Sequence, residues 1–138
     1  MSEVRNVFDV AARAMSSQMM RLNTVASNMA NVNSVSSTPE GAFRPLRPVF
    51  EAQYSDAMAQ SGLSTVDVSG VVSLNREAAS LYRPDHPLAD ENGFVYQSTV
   101  NVDEEMVEMM EASRQYQNNL EVVSTVREMM ARTVQMGR

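Results

Sequence analysis

The sequence has no lysine, no cysteine and no tryptophan, and its one histidine is His86. Each absence removes chemistry. Without Lys there is no Walker-type phosphate lysine and no Schiff base; without Cys there is no disulfide, thiol nucleophile or Cys-ligated zinc. The 11 basic residues, all Arg, face 17 acidic ones for a formal charge of −6. That acidic balance argues against nucleic-acid binding. No apolar run approaches the roughly 18 residues needed to cross a bilayer, so no membrane insertion is expected. The start Met1-Ser2-Glu3-Val4-Arg5 lacks the basic region and apolar core of a cleavable secretory signal. What is abundant is methionine, with twelve in 138 residues.

Proline and glycine divide the chain. All five prolines and four of the five glycines fall between Pro39 and Gly93, and six of the eight aromatics lie in the same middle stretch, from Phe43 to Tyr96, while most methionines lie in the flanks. The expected organisation is an N-terminal helix within 1–36, a turn-rich middle segment over 37–100 with short β-strands, and a C-terminal helix over 101–138. The fold class is therefore mainly α with a small β part.

Both flanks carry a heptad seam. In the first, Val4, Phe8, Ala11, Met15, Gln18, Leu22, Val25, Met29 and Val32 follow a 4,3 spacing, with Gln18 the one polar interruption. Asn31 and Asn33 would stop this helix by taking the left-handed conformation. In the second, Val102, Met106, Met109, Ser113, Tyr116, Leu120, Val123, Arg127, Met130 and Val134 repeat the pattern. Asn101 is the expected N-cap, Glu104 stands at capping-box spacing, and Asp103, Glu104 and Glu105 place negative charge at the helix start. These acids, with Glu108 and Glu111, read as a solvated, dipole-matched face, and the arginines as surface ion-pair elements. Gly137 suits a C-terminal stop.

In the middle, Val66-Asp67-Val68 and Val71-Val72-Ser73-Leu74 read as short strands around Ser69-Gly70. Leu81-Tyr82-Arg83 and Phe94-Val95-Tyr96 flank a link containing Asn92-Gly93. Phe43 to Phe50 is extended, and Pro45 and Pro48 confine it to an edge strand or a polyproline-like path.

One cluster invites an enzymatic reading: Asp85, His86, Asp90 and Glu91 crowd seven residues. A metal site or an acid/base pair could be drawn from it. Pro84 and Pro87 bracket the histidine and Asn92-Gly93 follows, so a turn whose polar side chains bond their own backbone is the simpler account. No catalytic residue, metal or cofactor is expected. The methionine seams are longer than the middle segment can cover, and pairing the two helices leaves apolar surface over. Other subunits are expected to complete the core.

The run Met20 to Ser34, which includes Asn28 and Asn31, resembles the N-terminal signature of bacterial flagellar axial proteins. Three further stretches resemble the proximal rod proteins of the flagellar basal body: Tyr82 to Val95, with Asp85, His86, Pro87, Asp90, Asn92 and Gly93; Glu104 to Met110, with Glu105 and Met106; and Ala112 to Asn119, with Ser113, Arg114, Tyr116 and Asn118. The similarity covers essentially the whole chain. Ser98-Thr99 departs from it, standing where the family usually has Pro-Asn. The resemblance implies a structural subunit that passes through the flagellar type III export apparatus without a cleaved signal. Such a subunit polymerises in the periplasm with other proximal rod proteins and copies of itself. Its terminal helices would pair as a coiled coil around the export channel, with Phe8, Met15, Leu22, Val25, Met29, Val32, Met106, Met109, Tyr116, Leu120, Val123, Met130 and Val134 in the seam. The alternatives are another flagellar axial protein, or a soluble coiled-coil adaptor or export chaperone.

Overall fold

The computed structural model describes residues 2–53 and 64–137, and of residues 2–5 and 53 the backbone. Helix α1 spans Ser2–Ala30, 29 residues without a proline or glycine. It stops six residues short of the expected boundary at 36. The Asn31 and Val32 amides donate to the carbonyls of Asn28 and Met29 at 3.1 and 3.3 Å, and Asn31 Nδ2 donates to Ser27 O at 2.8 Å. These short-range bonds satisfy the last carbonyls of the helix. No described non-glycine residue has a positive φ, so the left-handed stop expected at Asn31 and Asn33 does not occur. The asparagine side chain caps by donating back onto the preceding turn.

Among the described residues five strands follow: β1 (Val35–Ser36), β2 (Leu46–Gln53), β3 (Thr65–Ser73), β4 (Ser80–Tyr82) and β5 (Phe94–Gln97). They form two antiparallel sheets, one ordered β1-β5-β4 and one the pair β2-β3. The two short strands expected around Ser69-Gly70 are one strand. Val49 lies opposite Gly70 and Phe50 opposite Val68, so Ser69 is the extra residue of a β-bulge rather than a turn. Pro48 sits within β2, and a two-stranded sheet consists of edges, which is where a proline is tolerated.

Helix α2 runs Val102–Met136, 35 residues. The Asn101 side chain accepts from the Asp103 and Glu104 amides at 3.0 and 3.4 Å. Glu104 does not close a capping box. Its carboxylate instead accepts from Arg76 Nη2 at 2.7 Å. Gly137 ends the helix at an ordinary φ of −89°, its amide bonded to Thr133 O.

The helices pack antiparallel, since Arg21 pairs with Glu108 and Glu111 while Asn28, further along α1, meets Glu105. The hairpin β2-β3 packs on α1 through both of its strands. Among the described residues the buried apolar ones are few and small: Ala11, Val25, Ala42, Pro45, Val95 and Ala112. Correspondingly the chain exposes 9540 Å², where a compact monomer of its mass would expose about 7,100 Å².

Candidate functional site

Two adjacent stripes of α1 are shielded from solvent. One is the apolar 4,3 seam, in which Ala11 and Val25 are buried and Phe8, Met15, Leu22 and Met29 half-buried. Val4 lies outside the described side chains, and Val32 is half-buried just beyond the helix. Gln18 interrupts the seam as its sequence position implies, and its side-chain oxygen is buried without a hydrogen-bond partner.

The other stripe is polar: Ser17, Thr24 and Asn28 are all buried. Ser17 Oγ donates to its own helix at Arg13 O (3.0 Å) and lies 3.1 Å from Val66 O of β3, and Thr24 Oγ1 donates to Met20 O (2.8 Å). Hydroxyls satisfied by their own helix can be buried at little cost, which lets this face hold the hairpin. The sequence reading missed Ser17 and Thr24, because a search for apolar spacing discards them.

On α2 the shielded stripe is Glu105, Met109, Ala112, Tyr116, Asn119, Val123, Val126 and Met130. Its spacing is again 4,3, so it is collinear with a heptad. It shares Met109, Tyr116, Val123 and Met130 with the seam read from sequence. The alternate column lies one residue earlier. Met106, Leu120 and Val134 are consequently exposed, flanking the stripe, and Met110, Val122, Met129 and Met136 widen the apolar surface further.

The two helices and the hairpin are joined at one end by a charged clasp. Asn28 and Glu105 are both 0% exposed. Asn28 imitates a strand residue: its Oδ1 accepts from Leu46 N at 2.8 Å and its Nδ2 donates to Leu46 O at 2.9 Å. The same Nδ2 lies 3.0 Å from Glu105 Oε2, while Arg47 Nη2 is 2.6 Å from Glu105 Oε1 in a charge contact without hydrogen-bond alignment. Next to it Arg21 Nε donates to Glu108 Oε2 at 2.8 Å, and its Nη2 also reaches Glu111. Glu105 therefore does not belong to a solvated helix start. It falls four residues before Met109 and seven before Ala112, on the face turned to α1, and that spacing was the available signal. Arg47 and Arg21 gave no such signal, since their partners are distant in sequence.

The link around His86 is a self-bonded turn. Asp90 Oδ1 accepts from the amides of Asn92 and Phe94 at 2.9 and 2.8 Å, His86 Nδ1 accepts from Leu88 N at 3.1 Å, and Asp85 and Pro87 are exposed. Gly93 takes φ +80°, and a Cβ there would stand 2.9 Å from Tyr82 Cε2. This close approach accompanies an edge-to-face contact of Tyr82 with Phe94, centroids 5.3 Å apart. Tyr96 Oη lies 3.4 Å from Asp90 Oδ2. Loss of solvation and then the Asp90 carboxylate raise the phenol above its ordinary value. Among the described residues, no three His, Asp or Glu side chains gather as a metal site would require.

The sequence matches known protein families along both helices. The family described as flagella basal body rod protein matches residues 8–36, and the C-terminal family of flagellar basal body rod FlgEFG proteins matches 91–136. The flagellar basal-body rod protein FlgC of Salmonella typhimurium is 40% identical over 133 residues, covering 96% of this chain and 97% of that one. The chain belongs to the FlgC family. FlgC of Escherichia coli O157:H7 is 38% identical at the same coverage, and FlgC of Aquifex aeolicus is 35% identical over 136 residues, 96% of each chain.

At the entry to α2, backbone hydrogen bonds hold the Ser98-Thr99 junction. Ser98 N donates to Ser34 O at 3.0 Å and Thr99 N to Phe43 O at 2.9 Å, so the amide a proline would lack at 98 is in use. Of the remaining motif residues, Arg114 and Asn118 are exposed and Ser113 is half-buried.

Proposed function

We propose that the chain is a structural subunit of the flagellar basal-body rod. The FlgC relationship over nearly the full length supports this reading. The observation that carries it is an antiparallel helix pair whose α2 keeps Met106, Leu120 and Val134 exposed beside its shielded stripe. A chain with a thin core and about 2,400 Å² more surface than a compact monomer is built to be completed by neighbours.

In the finer form of this reading, residues 1–36 and 101–138 supply a coiled-coil core and 37–100 the outer contacts. The partners are other rod proteins of the proximal rod and further copies of the chain. The subunit reaches the periplasm through the flagellar type III export apparatus, and the assembly encloses the export channel and transmits torque. The matched 4,3 stripes on both helices support the coiled-coil pairing. The role asks for packing surfaces and requires no catalytic group or cofactor.

Locating the chain in a density map of intact basal bodies tests the reading. Density for α1 and α2 in the rod wall is the expected result, and basal bodies that lack the chain while cells still swim would overturn it.

A further inference from the structure

Asn92 is the one asparagine of the chain that is followed by glycine. In such a pair the glycine's backbone nitrogen can attack the asparagine side chain, because no Cβ stands beside it to obstruct the approach. The fold imposes this pair. Gly93 takes φ +80°, and a Cβ there would stand 2.9 Å from Tyr82 Cε2 and 3.2 Å from Pro84 Cβ, so any other residue is strained. Asn92 is exposed, and water reaches its side-chain amide.

The same turn holds the attacking atom. Gly93 N donates to Asp90 O at 3.0 Å. Asp90 Oδ1 accepts from the amides on either side of that nitrogen, Asn92 N at 2.9 Å and Phe94 N at 2.8 Å. Asp90 N donates to Phe94 O at 2.8 Å. These four bonds to one residue fix the backbone from 90 to 94. To react, the Gly93 nitrogen must lose its proton and swing toward Asn92 Cγ, and both moves break its bond to Asp90 O.

We propose that Asn92-Gly93 is a deamidation site gated by the Asp90 turn, shut in the folded chain and open whenever the turn is undone. In the open state the deprotonated Gly93 nitrogen bonds to Asn92 Cγ. The side-chain nitrogen leaves as ammonia and carries away the proton that the backbone gave up. Water then opens the five-membered succinimide at either carbonyl, giving aspartate or isoaspartate at position 92, so that one water enters and one ammonia leaves. Isoaspartate runs the main chain through its side-chain carbon, which lengthens the turn by a methylene and throws the bonds to Asp90 out of register. Either product adds a negative charge beside Asp90 and Glu91. The reaction thus marks chains that stay unfolded. Asp90 is a positioning residue, since its carboxylate acts through the amides of Asn92 and Phe94. The proposal does not depend on the rod reading.

Incubating the full chain in mildly alkaline buffer, folded and in guanidinium, tests it, with mass spectrometry and isoaspartate detection on the peptide that carries Asn92. Conversion in guanidinium should be at least about tenfold faster than in the folded chain, the weight of one or two hydrogen bonds. Asp90→Ala removes the side-chain acceptor and should speed conversion in the folded state about tenfold. Asp90→Asn keeps an acceptor oxygen and should leave the site protected. Dividing each folded rate by the same variant's rate in guanidinium removes any effect of the Asp90 charge on the chemistry itself. Circular dichroism reports whether Asp90→Ala keeps its fold. If it does not, hydrogen exchange at the Gly93 amide of the unaltered chain reads the same gate, and slow exchange is expected. Equal rates in the folded and unfolded chain, a folded Asp90→Ala as protected as the unaltered chain, no conversion in guanidinium, or fast exchange at Gly93 overturns the proposal.

Discussion

Asn28 and Glu105, 77 positions apart, meet at 3.0 Å with neither side chain exposed. Through Asn28 the contact also reaches the backbone of Leu46, and through Glu105 the guanidinium of Arg47, so one cluster ties α1, β2 and α2 together. A buried charge of this kind is sensitive to which partner is removed. Arg47→Ala leaves the Glu105 carboxylate buried and uncompensated, at a cost of about 3–5 kcal/mol. Asn28→Ala strands the two backbone groups of Leu46 and is expected to cost about 1–3 kcal/mol. Urea unfolding of the two variants measures both, with Arg47→Ala the more destabilised.

Leu120 and Val123 separate assembly from folding. Leu120 is 52% exposed in the single chain, whereas Val123 lies in the stripe against α1. Leu120→Asp should leave the stability of the subunit within about 0.5 kcal/mol, as surface substitutions do. The same substitution should remove the chain from basal bodies and abolish swimming, because it puts a charge in the proposed neighbour contact. Val123→Asp should lower the unfolding midpoint as well. Thermal melts read beside swimming assays distinguish the two.

Gly93→Ala tests the turn between β4 and β5. At φ +80° an L side chain is strained, and its Cβ would press on Tyr82 and Pro84. The expected cost is about 1–3 kcal/mol, seen as a lower melting temperature.

Tyr96 gives a pH signature. Its phenol is raised above the ordinary value of 10.0, first by loss of solvation and then by Asp90. In the folded state it therefore holds its proton at pH values where the unfolded chain has lost it. The stabilisation is fully present below the unfolded value and is lost as pH rises through the raised one. Ultraviolet titration of the phenolate follows Tyr96, and Asp90→Asn should let it ionise at lower pH.

Much of the fold was legible because its signals are local or periodic. The heptad of α1 from Phe8 to Met29, the Asn101 cap and the two short strands that flank the Asn92-Gly93 link follow from spacing and turn chemistry. Ser69-Gly70 misled because a bulge and a turn use the same residues, and the pairing of β2 with β3 that decides between them is non-local. The α2 stripe was half legible, since Met106 and Leu120 are better hydrophobes than Glu105 and Asn119, and only three-dimensional partners make the latter fit to be buried. The clasp was the least legible part. Asn28 and Glu105 stood within recognisable motifs, yet nothing local joins either one to Arg47.

The placement of that clasp has a mechanical meaning. Arg21, Arg47 and Arg76 engage α2 between Glu104 and Glu111, and among the described residues no ion pair joins α1 to α2 beyond that point. The pair is fastened like a tuning fork, stiff at the stem and yielding at the tines. Among the described residues, a sideways load on α2 beyond Glu111 meets no ion pair with α1, so that length yields more readily than the stem, which keeps the hairpin in register.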